Sequence, residues 1–458
     1  FKQKTAYEIG VRLVGSEMCI RDRYHREAGD VAAKLLLYEG AALHYQRALE
    51  ALSRLPESPS LHREQVELLL GQVTCSLTSA PPAQTQERLA QARSLLERLQ
   101  RAGQEVSRDR LQMARIDCEA GGLHTYLGQY PQAAACFDRA LSIAEEFQDH
   151  SLAAKTRIMY GRKLLQEGRV ARIITMLEPS LPAIERQLGG GIDVARGYSY
   201  LAMALADGGR GRAALSYLEP LQRFMDGYSE SGYLKVFQLN FAPTYLSVCD
   251  FAAALRSSMQ LIEGAERVNE RMLGYMGWDL AAMAHCGLGD LDTALRCRQR
   301  AIELRAQWKA AFAKEWTAAN HAEILLQLHR AEEACTLAAE TTTSARAIGS
   351  VRTLCGAERV WGCALARLGA DTTEVDAHLE ESLAVAEEIG NVMEALQTEI
   401  AWAQVCLERQ DRAASRVLFQ KALARITEDM LPCTQDYFLP RIHSGLQRCT
   451  MEATRHVR

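Results

Sequence analysis

Small and large apolar residues alternate with polar ones at helical spacing along much of the chain. In the stretch Leu127–Glu146, Ala133, Phe137 and Ala140 follow one another at intervals of four and three residues. A helix with about 3.6 residues per turn places these three positions on one face. A small, large, small face lets a neighbouring helix approach closely around one bulky side chain, so the pattern predicts a packed helical hairpin.

The same three-position pattern recurs at a nearly constant interval. Downstream of Ala133, its first position falls at Ile173, Ala213, Ala254, Ala294, Ala334, Val375 and Ser415, with spacings of 40 or 41 residues. In the unit at Ala213, the other two positions are Tyr217 and Pro220. Periods of about 20 to 50 residues are typical of solenoids, whose units bury their apolar faces only by stacking.

Two further units precede Leu127. Ala41 with Tyr45 and Ala48 matches the pattern well. A weaker unit spans Arg88–Ala102, and Leu61–Leu77 is predicted to be its partner helix. The repeat therefore begins close to Tyr24.

Each unit is predicted to contain two helices joined by a glycine turn. Gly289 stands where a helix ends in a left-handed residue, and Asp290 or Asp292 can cap the next helix. Glycines punctuate other units at the same place, namely Gly128, Gly168, Gly208, Gly209 and Gly369. No window alternates Val, Ile and Thr as a strand would. We expect an all-α, right-handed superhelical solenoid of about ten hairpins with a period of 40 or 41 residues.

The hairpins resemble the tetratricopeptide repeat over roughly Tyr24–Arg425. The resemblance rests on Ala, an aromatic and Ala in the second helix, on the turn glycine, and on a small residue where the two helices would cross. The crossing residues are Gly121, Gly161, Ala202, Ala242, Ala282 and Ala322. The usual tetratricopeptide period is about 34 residues, so HEAT repeats of about 40–47 residues are the alternative fold. HEAT units lack the glycine turn and the Ala-aromatic-Ala register.

A looser resemblance concerns the array as a whole. Tyr24–Leu52 and His378–Gly390 are similar to the helical regions of bacterial signalling ATPases. In those proteins an AAA-type or other NTPase domain, with a nucleotidyl cyclase or DNA-binding domain, is joined to a long tetratricopeptide array. The resemblance implies a sensor or scaffold region, with the catalytic motifs of such a protein outside this chain.

The sequence suggests four segments. Residues 1–23, which include VGSEMCIRDR, resemble translated sequencing-adaptor read-through, so we expect the natural protein to continue differently upstream of Tyr24. Residues 24–105 are predicted to form two hairpins and residues 106–430 eight more. Residues 431–458 are predicted to form a capping helix, Thr434–Cys449, and a tail.

Composition excludes several classes of protein. The net charge of -4 gives no basic face of the kind that nucleic acids attract. The 13 cysteines are scattered singly through helical segments, as in proteins of a reducing cytoplasm. No apolar run approaches the roughly 18 residues of a membrane span. We therefore expect a cytoplasmic protein that binds neither nucleic acid nor membrane.

The motifs of common catalytic and metal sites are missing from the sequence. It contains no GxxxxGK[ST], HExxH or GxSxG. Gly189–Gly191 is interpreted as a loop, and His285, Cys286 and Cys297 as packing residues rather than metal ligands. Gly208–Arg212, GGRGR, is interpreted as a flexible exposed turn rather than a phosphate site. We expect no catalytic residue, no metal and no cofactor.

The remaining candidate for function is the concave groove, which the first helices would line in this family. Candidate groove residues are Lys155, Arg162, Tyr198, Asn240, Asp279, Met283, Trp316, Asn320 and Glu323. Asn240 and Asn320 occupy the position of one Asn of the family's carboxylate clamp, but the rest of that clamp does not align. Four Trp fall in first helices, Trp278, Trp316, Trp361 and Trp402. Most are interpreted as packing residues, and Trp316 as the best binding anchor.

The leading hypothesis is a non-catalytic scaffold or sensor that binds a protein or peptide in its groove, or other domains of a larger signal-transduction ATPase, cyclase or transcriptional regulator. One alternative is a stand-alone assembly scaffold of HEAT or tetratricopeptide type. A second alternative is an enzyme with a site between helices.

Overall fold

The computed structural model describes residues 24–77, 80–104, 106–189, 191–227, 235–267, 271–308 and 314–450. All regular structure in these ranges is α-helical, which confirms the expected all-α class. The predictions for residues 1–23 and for the tail after Thr450 lie outside the described residues.

The helices follow one another with short connections. Their bounds are α1 (24–34), α2 (Tyr38–Leu52), α3 (Pro59–Ser76), α4 (Pro82–Arg101), α5 (Ser107–Tyr126), α6 (Tyr130–Glu146), α7 (His150–Glu167), α8 (Val170–Leu177), α9 (Leu181–Leu188), α10 (Ile192–Asp207), α11 (Gly211–Asp226), α12 (Lys235–Ser247), α13 (Phe251–Arg267), α14 (Arg271–Gly287), α15 (Leu291–Trp308), α16 (Lys314–Gln327), α17 (Ala331–Ile348), α18 (Val351–Arg367), α19 (Thr372–Ile389), α20 (Val392–Glu408), α21 (Arg412–Arg425) and α22 (Pro432–Thr450). Consecutive helices pair into hairpins, and in the fourth hairpin the second helix is split into α8 and α9.

The hairpins are held together by the small and large positions of the repeat. Ala133, Phe137 and Ala140 are fully buried. The ring of Phe137 lies where a Cβ on Gly121 would approach it to 2.6 Å, and Leu177 lies 2.8 Å from the corresponding point of Gly161. The first helix therefore supplies an empty place that the large residue of the second helix fills, sixteen residues later in the chain.

The repeat pattern identifies buried positions in nearly every unit. The three positions are buried in the units that begin at Ala41, Ala254, Ala294, Ala334, Val375 and Ser415. Ile173 and Leu177 are also buried, whereas Ser180 lies at the break between α8 and α9, which Pro182 accompanies. The solenoid interpretation is thus confirmed by burial.

One unit is predicted one residue out of register. The buried positions of α11 are Ala214, Leu218 and Leu221, not Ala213, Tyr217 and Pro220. The preceding turn has an additional residue, so α11 begins one position later. The sixteen-residue spacing from Ala202 to Leu218 matches that from Gly121 to Phe137, and it gives the correct register.

The turns inside the hairpins adopt one backbone conformation with or without glycine. Gly128, Gly168, Gly209, Gly289 and Gly369 have positive φ, as predicted. The equivalent positions in other units, which the sequence does not mark, are Cys249, His329 and Gln410, with φ of 60°, 60° and 65°.

Backbone hydrogen bonds explain why these turns are alike. The N–H after the left-handed residue donates to a carbonyl five residues earlier, from Asp290 to His285 at 3.0 Å and from Arg330 to Leu325 at 2.9 Å. Asp290 also caps α15, since its Oδ1 accepts from the Thr293 N–H at 3.2 Å. The predicted cap at Asp290 is confirmed.

The chain divides into two compact units. Unit 1 comprises Phe1–Tyr160 with Tyr228–Tyr233, and unit 2 comprises Gly161–Gly227 with Leu234–Arg458. In the described part of unit 1, Tyr45 fills the space left by both Gly29 and Gly71. The predicted grouping of hairpins into residues 24–105 and 106–430 remains a prediction.

In unit 2 the array curls until hairpins about five periods apart meet. Arg169 forms an ion pair with Glu388, and the Thr434 hydroxyl donates to the Val248 carbonyl at 2.5 Å. These pairs are 219 and 186 residues apart, or about 5.5 and 4.6 periods of 40. We call the line of contact between the turns at 168–171, 207–212 and 248 and the segments 350–352, 388–392 and 428–434 the seam.

The final helix, predicted as Thr434–Cys449, spans Pro432–Thr450. Its Gly445 accommodates the ring of Phe419 from α21, so α22 covers the end of the stack. Its other side meets an earlier hairpin, since the ring centroids of Tyr437 and Phe251 lie 5.0 Å apart.

Removing the large side chain of a unit should destabilise the array. Phe137→Ala leaves a cavity beside Gly121, and we expect a loss of about 3–5 kcal/mol in the free energy of unfolding. Chemical denaturation followed by circular dichroism measures this loss. Asp138→Ala, at the exposed neighbouring position, is the control and should change stability by less than about 0.5 kcal/mol.

The left-handed turn residues allow a paired test. His329→Gly relieves the strain of a side chain at positive φ, whereas Gly289→Ala introduces it one repeat earlier. We expect the first change to stabilise the protein by up to about 1 kcal/mol and the second to destabilise it by about 1 kcal/mol. Thermal unfolding midpoints that shift in the same direction in both variants would contradict this account of the turns.

Candidate functional site

A stripe of side chains on α16 lies along a cavity in unit 2. Trp316, Asn320 and Glu323 share one face of the helix, because they are four and three residues apart. They line a cavity of about 540 Å³ together with Met283 from α14. The structure thus brings together four of the predicted groove residues.

Corresponding faces of the following first helices continue the lining. Moving the α16 stripe by 40 or 41 residues along the sequence gives positions on α18 and α20 that all line the same cavity. They are Gly356, Val360, Cys363, Gln397, Ala401 and Gln404. The repeat period was therefore a sequence signal that could have found them.

A buried cation joins three first helices at the cavity. The Arg359 guanidinium on α18 donates to Glu323 at 2.6 Å and to Glu394 at 2.7 Å. Burial alone would lower the pKa of Arg359, but the two carboxylates hold it well above its ordinary value. Burial likewise acts to raise the pKa of Glu323, and the charge of Arg359 outweighs it and lowers that pKa. All three groups are ionised at neutral pH.

A second ion pair forms part of the cavity wall at the seam. Arg352 Nη2 lies 3.0 Å from Asp207 Oδ2, and the Ser247 hydroxyl donates to Asp207 Oδ1 at 2.6 Å. Burial raises the pKa of Asp207, and Arg352 and Ser247 act against that rise. Neither this pair nor the Arg359 cluster was predicted, because partners so distant in the chain leave no local pattern.

Several groups in the cavity retain hydrogen-bonding capacity or bulk for a ligand. Among the described residues, the Asn320 Nδ2 is buried without a hydrogen-bond partner. The Arg441 guanidinium lies 3.9 Å above the centre of the Tyr437 ring. Burial raises the pKa of the Cys286 and Cys363 thiols to about 12, so both thiols are protonated at neutral pH. The site can bind a ligand with apolar and polar groups, and its thiols are poor nucleophiles.

Four of the predicted groove residues lie away from this cavity. Lys155 pairs with Glu119 at 2.7 Å within unit 1. Arg162 is half-buried on α7. The remaining two lie on α10 and α12: Tyr198 packs against Tyr217 with ring centroids 6.1 Å apart, and Asn240 donates to the Ser199 hydroxyl at 2.9 Å.

The predicted position of Asp279 on the groove is corrected by the structure. Its side chain is fully buried and forms an ion pair with Arg298. Arg298 occupies the large position of the unit at Ala294, where the family has an aromatic residue. An arginine at a buried position requires a carboxylate partner, and this was the overlooked sequence signal.

The tryptophans divide between packing and the cavity. Trp361 stacks on His378 with ring centroids 3.9 Å apart, and the Trp402 Nε1 donates to Asp376 at 3.0 Å. Trp278 packs among apolar residues of α13–α15. Trp316 lines the cavity, where the anchor interpretation places it.

Two other segments can now be placed. The expectation of an exposed turn at GGRGR is wrong, because Gly209 is buried against Val392 and Met430. Arg210 forms a bidentate pair with Glu178 at 2.7 and 2.8 Å, which satisfies its guanidinium. Gly189 ends α9 in the left-handed conformation.

Searches for other site types cover the described residues alone. Within those ranges, no cluster of three or more His, Cys, Asp or Glu has the arrangement of a metal site. No helix in the same ranges combines the length and apolarity that crossing a membrane requires.

These features define an α-solenoid of the tetratricopeptide type. The chain is similar in fold to a Rap protein whose crystal structure is a complex with competence and sporulation factor, with a TM-score of 0.64 and 11% identity. The match covers 82% of this chain and 99% of that one.

Two further solved structures are more distantly similar. They are the apo form of RapI (TM-score 0.49, 11% identity, 79% of this chain and 97% of that one) and a signal transduction ATPase with a tetratricopeptide repeat sensor from Pyrococcus horikoshii (TM-score 0.43, 15% identity, 86% and 54%). No protein-family model matches the sequence, and no curated protein sequence matches it significantly.

The Arg359 cluster predicts a pH-dependent stability effect. Because the pKa of Glu323 is lowered in the folded state, the pair stabilises the fold above the ordinary carboxyl pKa of 4.5, and this contribution is lost as the pH falls through the folded value. Arg359→Gln should therefore cost about 3–5 kcal/mol near neutral pH and clearly less near pH ~4. Urea denaturation at both pH values measures it.

Arg416→Gln, at an exposed position of α21, is the matched control for this experiment. Its stability should equal that of the wild type at either pH. An Arg359→Gln penalty that stays constant with pH would show that lost packing, rather than charge pairing, accounts for the effect.

Proposed function

We propose that this chain is a non-catalytic scaffold or sensor that binds a protein or peptide segment in the cavity of unit 2. The observation that carries the proposal is the convergence of inner-helix side chains from successive hairpins on one cavity. Trp316 and Met283 supply apolar surface there, and Asn320 supplies a buried amide without a hydrogen-bond partner among the described residues.

The size of the cavity favours a short segment over a folded domain. Its volume of about 540 Å³ lies within the range of roughly 300–1,000 Å³ that small ligands occupy. An extended peptide has donors and acceptors along its backbone that can satisfy Asn320, and one apolar side chain can pack on Trp316. Tryptophan is enriched among residues that dominate binding energy.

The comparison with known structures is consistent with this proposal. The Rap protein of similar fold is seen in complex with competence and sporulation factor. Together with the resemblance of the repeats to signalling ATPases, this supports a cytoplasmic sensor region within a larger signalling protein. Genomic sequence upstream of Tyr24 tests the last point, since an NTPase or cyclase domain is expected there.

A random heptapeptide library, selected on immobilised protein, tests the cavity. We expect wild type to enrich sequences with an apolar residue, and Trp316→Ala to weaken binding of the selected peptides at least tenfold, because an anchor costs about 2 kcal/mol or more. Fluorescence anisotropy of the labelled peptides gives the dissociation constants.

Trp361→Phe is the matched control, since Trp361 stacks on His378 and does not line the cavity. It should bind the peptides as wild type does. Equal affinity of the wild type and Trp316→Ala, with both variants folded by circular dichroism, would remove the cavity from the proposed function.

A further inference from the structure

The seam forms one wall of the cavity. Asp207, Arg352 and Asn391 belong to the seam, and all three also line the cavity. A ligand outside the array is therefore separated from the cavity, on this side, by seam contacts alone.

The contacts across the seam differ from those within hairpins. They join turns and loops by hydrogen bonds and ion pairs, such as Arg212 Nε to the Glu428 carbonyl at 3.0 Å and Thr434 to Val248 at 2.5 Å. The Arg169–Glu388 pair lies at the surface, where ion pairs contribute little to stability. Within hairpins, by contrast, whole apolar faces are buried.

The surfaces that meet at the seam lack interlocking side chains at two points. A Cβ on Gly168 would lie 2.5 Å from the Arg352 Cβ, and one on Gly390 would lie 2.8 Å from the Ala171 Cβ. Backbone approaches backbone there because no side chain intervenes. Surfaces of this kind can separate and reclose without repacking a core, and such local opening belongs to the least stable contacts of a fold.

We propose that the seam is a gate: it opens between the turns at 168–212 and the segments 350–352 and 388–434, and this opening admits ligand to the cavity from the side. This inference rests on the proposed function for the identity of the ligand. The hairpins themselves remain intact, since their buried faces do not cross the seam.

The cavity thiols report opening without any ligand. Cys286 and Cys363 line the cavity, whereas Cys335 on α17 is half-buried outside its lining. A maleimide with a long polyethylene glycol chain should label Cys335 much faster than Cys286, because the closed seam excludes the polymer. N-ethylmaleimide, which is small, gives the intrinsic reactivity of each thiol, and peptide mass spectrometry measures all rates.

Charge reversal across the seam then tests the gate. Glu388→Arg places two cations opposite each other, and we expect the polymer reagent to label Cys286 about threefold faster. Adding Arg169→Glu restores an opposite-charge pair, and the rate should return to the wild-type value. Neither residue lines the cavity, and Arg416→Gln should leave the rate unchanged.

Two results would overturn the gate. One is labelling of Cys286 that does not respond to Glu388→Arg. The other is an equal rise at Cys286 and Cys335, which would indicate general unfolding rather than opening of the seam. Since no peptide enters these measurements, failure of the gate and failure of peptide binding are separate outcomes.

Discussion

The architecture depends on one contact, in which a large side chain of the second helix fills the space that a small residue of the first helix leaves. At Gly121 and Phe137, and at Gly161 and Leu177, no Cβ could be added without displacing the side chain opposite. This contact fixes how closely the two helices approach, and the stacking of hairpins and the position of the cavity follow from it. Where the large residue is Arg298, the same position requires a carboxylate, and Asp279 provides it.

What the sequence predicted well is what repeats. Buried positions recur every 40 or 41 residues because each hairpin solves the same packing problem, so Ala254, Val375 and Ser415 were placed correctly from Ala133. The left-handed turns at Cys249 and His329 escaped prediction, because backbone hydrogen bonds impose that conformation whatever the side chain. Register failed only where the turn before α11 has one more residue.

The cavity shows the opposite balance. Trp316, Asn320 and Glu323 follow from helical spacing on a single helix, and the period extends that stripe to α18 and α20. The charges that organise the site do not follow from spacing, because Arg359 bridges helices far apart in the sequence and Asp207 meets Arg352 145 residues away. Such pairs depend on the curvature of the array. Curvature arises from small rotations between neighbouring hairpins, which no local pattern encodes.

The seam also constrains the number of hairpins in unit 2. In an open solenoid, inserting or deleting a hairpin alters only the length of the array, and the neighbours on either side pack as before. Here Arg169 meets Glu388 and Val248 meets Thr434 only because a set number of hairpins lies between them. Loss of one unit would bring unrelated residues to these positions and leave Asp207 without its cation. Unit 2 is thus a repeat array whose length is part of its structure, and duplication or deletion of a single repeat is not a neutral change.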